Sequence, residues 1–213
     1  LAAIGTGLLA TFSRGAWVGT FFSSVFYVLR SKQMRQLLVI GIIAVIVLTA
    51  VSTPFQERLY SIFSIEENMD RIIIWQTSLK MIADHPIFGI GTFLFAKHWD
   101  ATYRPPDYDA TIVFAHNIIL QKAVEFGIVG LVIFCLIIAD ILLTAFKALD
   151  RMDRLYRGLT AAFIAIFIHQ QFDCTIYGLE QAALFWLIST LLVYLPSQQS
   201  QERTSRKSES LID

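Results

Sequence analysis

Apolar residues in this chain fall in long blocks separated by short polar breaks. Leu1–Phe12 carries no charge and ends at the break Ser13-Arg14-Gly15; Ala16–Leu29 follows it. Leu37–Thr53 is free of charge, and Phe126–Phe146 is interrupted only by Asp140. Gly158–Leu195 is long enough for two helices hinged near Asp173–Gly178. Crossing the hydrocarbon core takes about 20 apolar residues at about 1.5 Å each. The blocks therefore predict membrane helices, several slightly short, which local thinning or burial among neighbours accommodates. No alternating ten-residue pattern repeats, which argues against a membrane β-barrel. The expected fold is an all-α polytopic membrane protein.

Lys and Arg in short loops set the orientation. Arg30, Lys32 and Arg35 lie between the second and third blocks. Lys147, Arg151, Arg154 and Arg157 precede the last pair, and Arg203, Arg206 and Lys207 lie in the tail. If each block crosses once, these segments share one side, the cytoplasm. Residues 54–115 then form an external, periplasmic loop within a transmembrane domain spanning 1–195. The Ser/Gln/Arg-rich stretch 196–213 reads as a disordered cytoplasmic tail.

Within the external loop, Asn68-Met69-Asp70 predicts a helix running to Ala83. Its Ile72, Ile73, Trp75, Leu79 and Ile82 suggest that it lies at the membrane interface. Asp84-His85-Pro86 stops it. Gly89 and Gly91 then permit a tight backbone path, and Tyr103–Tyr108 reads as extended or turn-like.

Composition agrees with a bilayer protein. Mean hydropathy is +0.59 and charged residues are 16%, against about a quarter in soluble domains. Lys+Arg 17 balances Asp+Glu 17, so no overall field recruits nucleic acid. Cys135 and Cys174 have no paired spacing and read as small hydrophobes. The chain opens Leu1-Ala2-Ala3 without Met, as the C-terminal portion of a longer protein would.

A few polar residues stand out against this background. Arg14 sits between two apolar runs, where a guanidinium costs several kcal/mol unless paired or wetted. It reads either as an interfacial Arg snorkelling to headgroups or as an anion site. Arg71, four residues before Trp75, reads as a surface or cation–π pair or as a second anion-binding group. Two guanidinium forks suit a phosphate or pyrophosphate. His116 stands at a span entrance, either as a polar helix terminus or as a proton acceptor. Lys122 and Glu125 are spaced to pair. His169 and Asp173, with Gln170 and Gln171, form either a hydrogen-bond cluster between helices or part of a cavity lining. The four histidines show no metal-ligand spacing, so no metal and no cofactor is expected.

Thr11-Phe12-Ser13-Arg14-Gly15-Ala16-Trp17, then Arg71 to Trp75, then Asp84 to Gly91, then His116-Asn117 with nine residues to Gly127-Ile128-Val129-Gly130, occur in this order. Together they resemble the O-antigen ligase and O-antigen polymerase family of bacterial membrane glycosyltransferases. The resemblance implies a GT-C-like helical bundle with an extended periplasmic loop in the inner membrane. It implies transfer of a glycan from an undecaprenyl-pyrophosphate carrier to lipid A–core, or to a second carrier-linked repeat unit in a polymerase, by a metal-independent inverting mechanism. Carried over by position, Arg14 and Arg71 match the pyrophosphate-binding arginines and His116 the general base. His169 and Asp173 match a looser pattern. A transporter would spread its intramembrane charges along a path or repeat a broken helix. Here the polar residues gather at one face.

Overall fold

The computed structural model describes residues 2–28 and 32–209, and all regular structure among them is helical. Leu1, Leu29, Arg30, Ser31 and residues 210–213 lie outside the described residues. So do the side chains of Lys32, Arg203, Arg206 and Lys207. The helices are α1 (Ala2–Ala10), α2 (Arg14–Val28), α3 (Lys32–Val51), α4 (Thr53–Tyr60), α5 (Met69–Asp84), α6 (Phe95–His98), α7 (Ile118–Ala148), α8 (Arg154–His169) and α9 (Leu179–Glu209).

Among the described residues two helices are long and apolar enough to cross a membrane: α7, and α9 over Leu179–Gln201. Leu38–Val51 of α3 joins α4 through a 111° bend, and the two would make a third span if counted together. The bend falls at Ser52, whose extended backbone interrupts the helix, and α4 restarts at once with Pro54 in its first turn. The other expected crossings are shorter. α2 has 15 residues and α8 has 16, about 22–24 Å of helix.

α2 and α8 lie antiparallel against each other. A Cβ on Gly15 would stand 3.0 Å from the His169 ring, and one on Gly19 would stand 2.6 Å from the carbonyl oxygen of Ala165. At the far end the Tyr27 hydroxyl donates to the carbonyl of Arg154. Gly15 and Gly19 are one turn apart, the small-residue spacing that lets two backbones approach closely. This pairing puts Arg14 and His169 at one end of the molecule. Arg154 and its basic neighbours stand at the other.

α7, α8 and α9 close a core of Phe134, Ile138 and Ile141 against Phe163, Phe185 and Leu192. Tyr156 is fully buried, and its hydroxyl donates to the Leu192 carbonyl at 2.7 Å, so the polar tip is satisfied. The hinge expected near Asp173–Gly178 is present as the break between α8 and α9.

One expectation needs correction. The tail from Pro196 continues α9 as helix to Glu209. It holds no glycine, and its Gln, Glu, Arg and Lys residues extend a helix already nucleated upstream. The helix expected over Asn68–Ala83 is present as α5, with Ile72, Ile73, Trp75 and Ile82 half-buried. Its buried side is Ile74, Thr77, Ser78 and Met81, while Leu79 is exposed. Ile74 and Met81 pack in one cluster with Val124 of α7, and Ser78 returns its hydroxyl to the Ile74 carbonyl at 2.8 Å.

α7 is not continuous. Gly127 has φ 61° and ψ −163°, outside the helical region. The carbonyls of Val124 and Glu125 lose their helical donors at this break. They accept instead from the amides of Ile90 and Gly91, both at 2.9 Å. The amides of Ile128 and Val129 lose their helical acceptors and donate to the carbonyls of Pro86 (2.8 Å) and Ile87 (3.4 Å). The Pro86–Gly91 segment thus stands in for the missing turn of helix. Glycine at 89 and 127 is what allows contact, since a Cβ at either position would collide with the opposing backbone.

Candidate active site

One end of the bundle collects the junction between α1 and α2, the end of α4, the start of α7 and the α8–α9 hinge. At the junction Phe12 adopts a left-handed φ of 49°, and Ser13 caps α2 by accepting from the Ala16 amide at 3.3 Å. Arg14 is the first residue of α2, and its Nη1 donates to the Ser61 carbonyl at 2.6 Å. Arg58 Nε donates to the Phe12 carbonyl at 2.9 Å. The end of α4 therefore grips both sides of the break. Asn68, instead of capping α5, donates to the Ser61 and Ser64 carbonyls at 3.1 and 2.6 Å.

Arg71 stands in the same electrostatic neighbourhood. Burial and the positive charges of Arg14 and Arg58 push its pKa down, while Asp173 pulls it up. A guanidinium stays charged through such shifts. Arg14, Arg58 and Arg71 thus concentrate positive charge with Asp173 as the nearby counter-charge.

His116 is held on both sides. The Ala115 amide donates to Gln121 Oε1 at 2.7 Å, and the Ala115 carbonyl accepts from the Trp75 indole at 3.0 Å. Asn117 caps α7 by accepting from the Leu120 amide at 3.0 Å, and its Nδ2 donates to the Gln171 carbonyl at 3.2 Å. The Ile118 amide donates to the Gln170 carbonyl at 2.9 Å. His116 itself takes a left-handed φ of 50° between these anchors. Its Nδ1 lies 3.0 Å from Asp173 Oδ1. The two side chains are 35% and 46% exposed, so the pair is open to a substrate.

The hydrogen bond to His116 holds the Asp173 carboxyl below the usual carboxylate range, against the opposing effect of partial burial. The charge of His116, the Cys174 amide (2.8 Å from Oδ1) and His169 add to the lowering. An ionised Asp173 accepts Nδ1–H, and Nε2 is then the ring's free proton acceptor. His169 packs its ring on Gly15, beside Arg14.

Arg14, Arg71, His116, His169 and Asp173 therefore share one end of the fold. Arg58, Ser61 and Gln121 join them without having been singled out in the sequence. Arg58 lies three residues before Ser61, the C-cap of α4, and no local pattern marks either. The Lys122–Glu125 pair is present at 3.5 Å, and Glu125 also accepts from the Tyr177 hydroxyl. Among the described residues no three His, Cys, Asp or Glu side chains are grouped as a metal centre requires.

A family model described as O-antigen ligase matches residues 1–135. That stretch includes Arg14, Arg71 and His116, the Pro86–Gly91 segment and Gly127; His169 and Asp173 lie beyond it. No curated protein matches this chain.

Proposed function

The chain belongs to the O-antigen ligase family, and we propose that it transfers a glycan from an undecaprenyl-pyrophosphate carrier to lipid A–core at the periplasmic face of the bacterial inner membrane. The observation that carries this reading is the convergence of Arg14 and Arg71 with the His116–Asp173 pair at one end of the bundle. That end is the one opposite the Arg154 end, in keeping with a cytoplasmic basic face. On this reading residues 54–115 are the periplasmic loop of a polytopic, GT-C-like bundle.

The chemistry follows from the charges. The acceptor hydroxyl attacks the anomeric carbon as the bond from that carbon to the pyrophosphate oxygen breaks. Nε2 of His116 takes the hydroxyl proton, and Asp173 stabilises the resulting imidazolium. The departing pyrophosphate carries the electron pair and is stabilised by the guanidinium forks, a task that needs no metal ion. A single displacement inverts the anomeric configuration.

Deleting the gene and running the surface glycan on a gel tests the acceptor. Loss of every capped lipid A–core species is the expected result; persistence of single-unit caps would make the enzyme a polymerase, adding to a second carrier-linked repeat. The clamp is tested separately. Arg14→Lys and Arg71→Lys keep the charge but remove the fork. Each is expected to lower transfer about ten- to a hundredfold, the worth of a charge-assisted hydrogen bond of roughly 1.5–3 kcal/mol. Membrane abundance should be unchanged, and full activity in both variants would remove the clamp from the mechanism.

A further inference from the structure

The segment that fills the gap in α7 has a chemistry that its backbone role does not explain. From Pro86 to Ala96 it carries no charged residue, although Asp84 precedes it and Lys97 follows it. Ile90 and Phe95 turn into the core, but Ile87 is 55% exposed, Phe88 76% and Phe93 67%. Nothing in the reaction uses them.

The depth of this segment follows from its hydrogen bonds. Lys122 and Glu125 are the last charged residues of α7 before the break, and none follows until Asp140. Pro86 and Ile87 accept from the amides of Ile128 and Val129, the first turn of the apolar part of a candidate span. Ile128 and Val129 are themselves exposed, so Ile87 and Phe88 continue an apolar wall that begins on α7. Irregular backbone does not lie open to the hydrocarbon core, so a loop here reaches no deeper than the boundary between headgroups and acyl chains, where water still serves its remaining amides. Here the amides of Ile90, Gly91 and Phe93 donate to Val124 O, Glu125 O and Glu125 Oε1, and that of Gly89 to His85 O.

We propose that residues 86–94 sit at the headgroup–acyl boundary of the leaflet on the site's side, as a wedge whose Ile87 and Phe88 side chains reach down to contact lipid chains. The occupant of this apolar face is hydrocarbon, because the face is continuous with the lipid-crossing part of α7 and offers no group for a polar partner. The wedge fixes the height of the His116 end relative to the bilayer surface.

The test is depth measurement by spin labelling, which does not depend on the glycan reaction. The full-length protein, with Cys135 and Cys174 replaced by alanine, carries Phe88→Cys with a nitroxide label. It is reconstituted in phosphatidylethanolamine/phosphatidylglycerol nanodiscs, with doxyl-labelled lipids for calibration and Asp107→Cys as the aqueous reference. The label at 88 is expected to relax strongly with oxygen and several-fold less with a water-soluble nickel chelate than the label at 107. Chelate accessibility equal to that at 107 would place the loop in water. Protection from both reagents would mean that protein covers it. Either result overturns the proposal. Ile87→Cys is read in the same way if the first variant does not fold.

Discussion

His116→Ala is expected to cut glycan transfer by roughly 10² to 10⁴, the usual worth of a positioned general base. Ala115 and Asn117 on either side keep their bonds to Gln121, Trp75 and Gln171, so the loop stays in place while the imidazole is lost. Carrier binding, assigned to the arginines, should change little. His116→Gln keeps polar atoms but accepts no proton of comparable basicity, and should be almost as poor. Asp173→Asn probes the partner. An amide nitrogen facing Nδ1 would donate to it, shift the ring proton to Nε2 and so remove the acceptor. Single-turnover transfer by purified full-length enzyme, with carrier binding measured separately, distinguishes these outcomes. Parental rates in the Gln variant would leave His116 as an anchor only and move the base elsewhere.

The acid behaviour of the pair has a defined sign. Asp173 is held below the ordinary carboxylate range in the folded protein, so its contribution to stability is complete above that range. It is lost only as the pH falls through the lowered folded value. Loss of transfer in mildly acidic solution therefore does not come from protonating Asp173.

Gly127→Ala is expected to be the most damaging single substitution for folding. A backbone at φ 61° and ψ −163° is open almost only to glycine, and forcing alanine into it costs roughly 1–3 kcal/mol. The added Cβ also collides with the Ile87 carbonyl and stands 2.6 Å from the Phe88 nitrogen. Backbone atoms cannot step aside as a side-chain tip can, which adds roughly another 1–3 kcal/mol. The variant should melt well below the parent in detergent and accumulate poorly in membranes. Gly158→Ala is the matched control: its Cβ meets nothing within 4 Å, and helix propensity favours it by about 1 kcal/mol. Equal melting of the Gly127 variant and the parent would refute the gap-filling role of Pro86–Gly91.

Part of this was legible in the sequence because local chemistry fixes it. Arg14, Arg71 and His116 stand out as charged or polar groups beside apolar runs, and the α8–α9 hinge is written in the polar stretch around Asp173. His85-Pro86 ends α5 where a proline must. Other features depend on partners distant in sequence. Pro86–Gly91 and Gly127–Gly130 both read as glycine signals, yet nothing local says that each completes the other. Gly127, legible only as part of the His116-Asn117 motif, is the break itself. Arg58 was hidden because its task, holding the Phe12 carbonyl, exists only once α3 has bent into α4.

The gap in α7 also orders events during synthesis. The Pro86–Gly91 segment leaves the ribosome well before Gly127 does. When the broken span is inserted, the carbonyls and amides that repair it are already waiting on the nascent chain. A swap of the two segments in chain order would reverse this sequence and leave an open helix break in the insertion machinery with no partner yet made. Circular permutants that open the chain between Gly91 and Ile118 should therefore be harder to produce than those opened beyond α9.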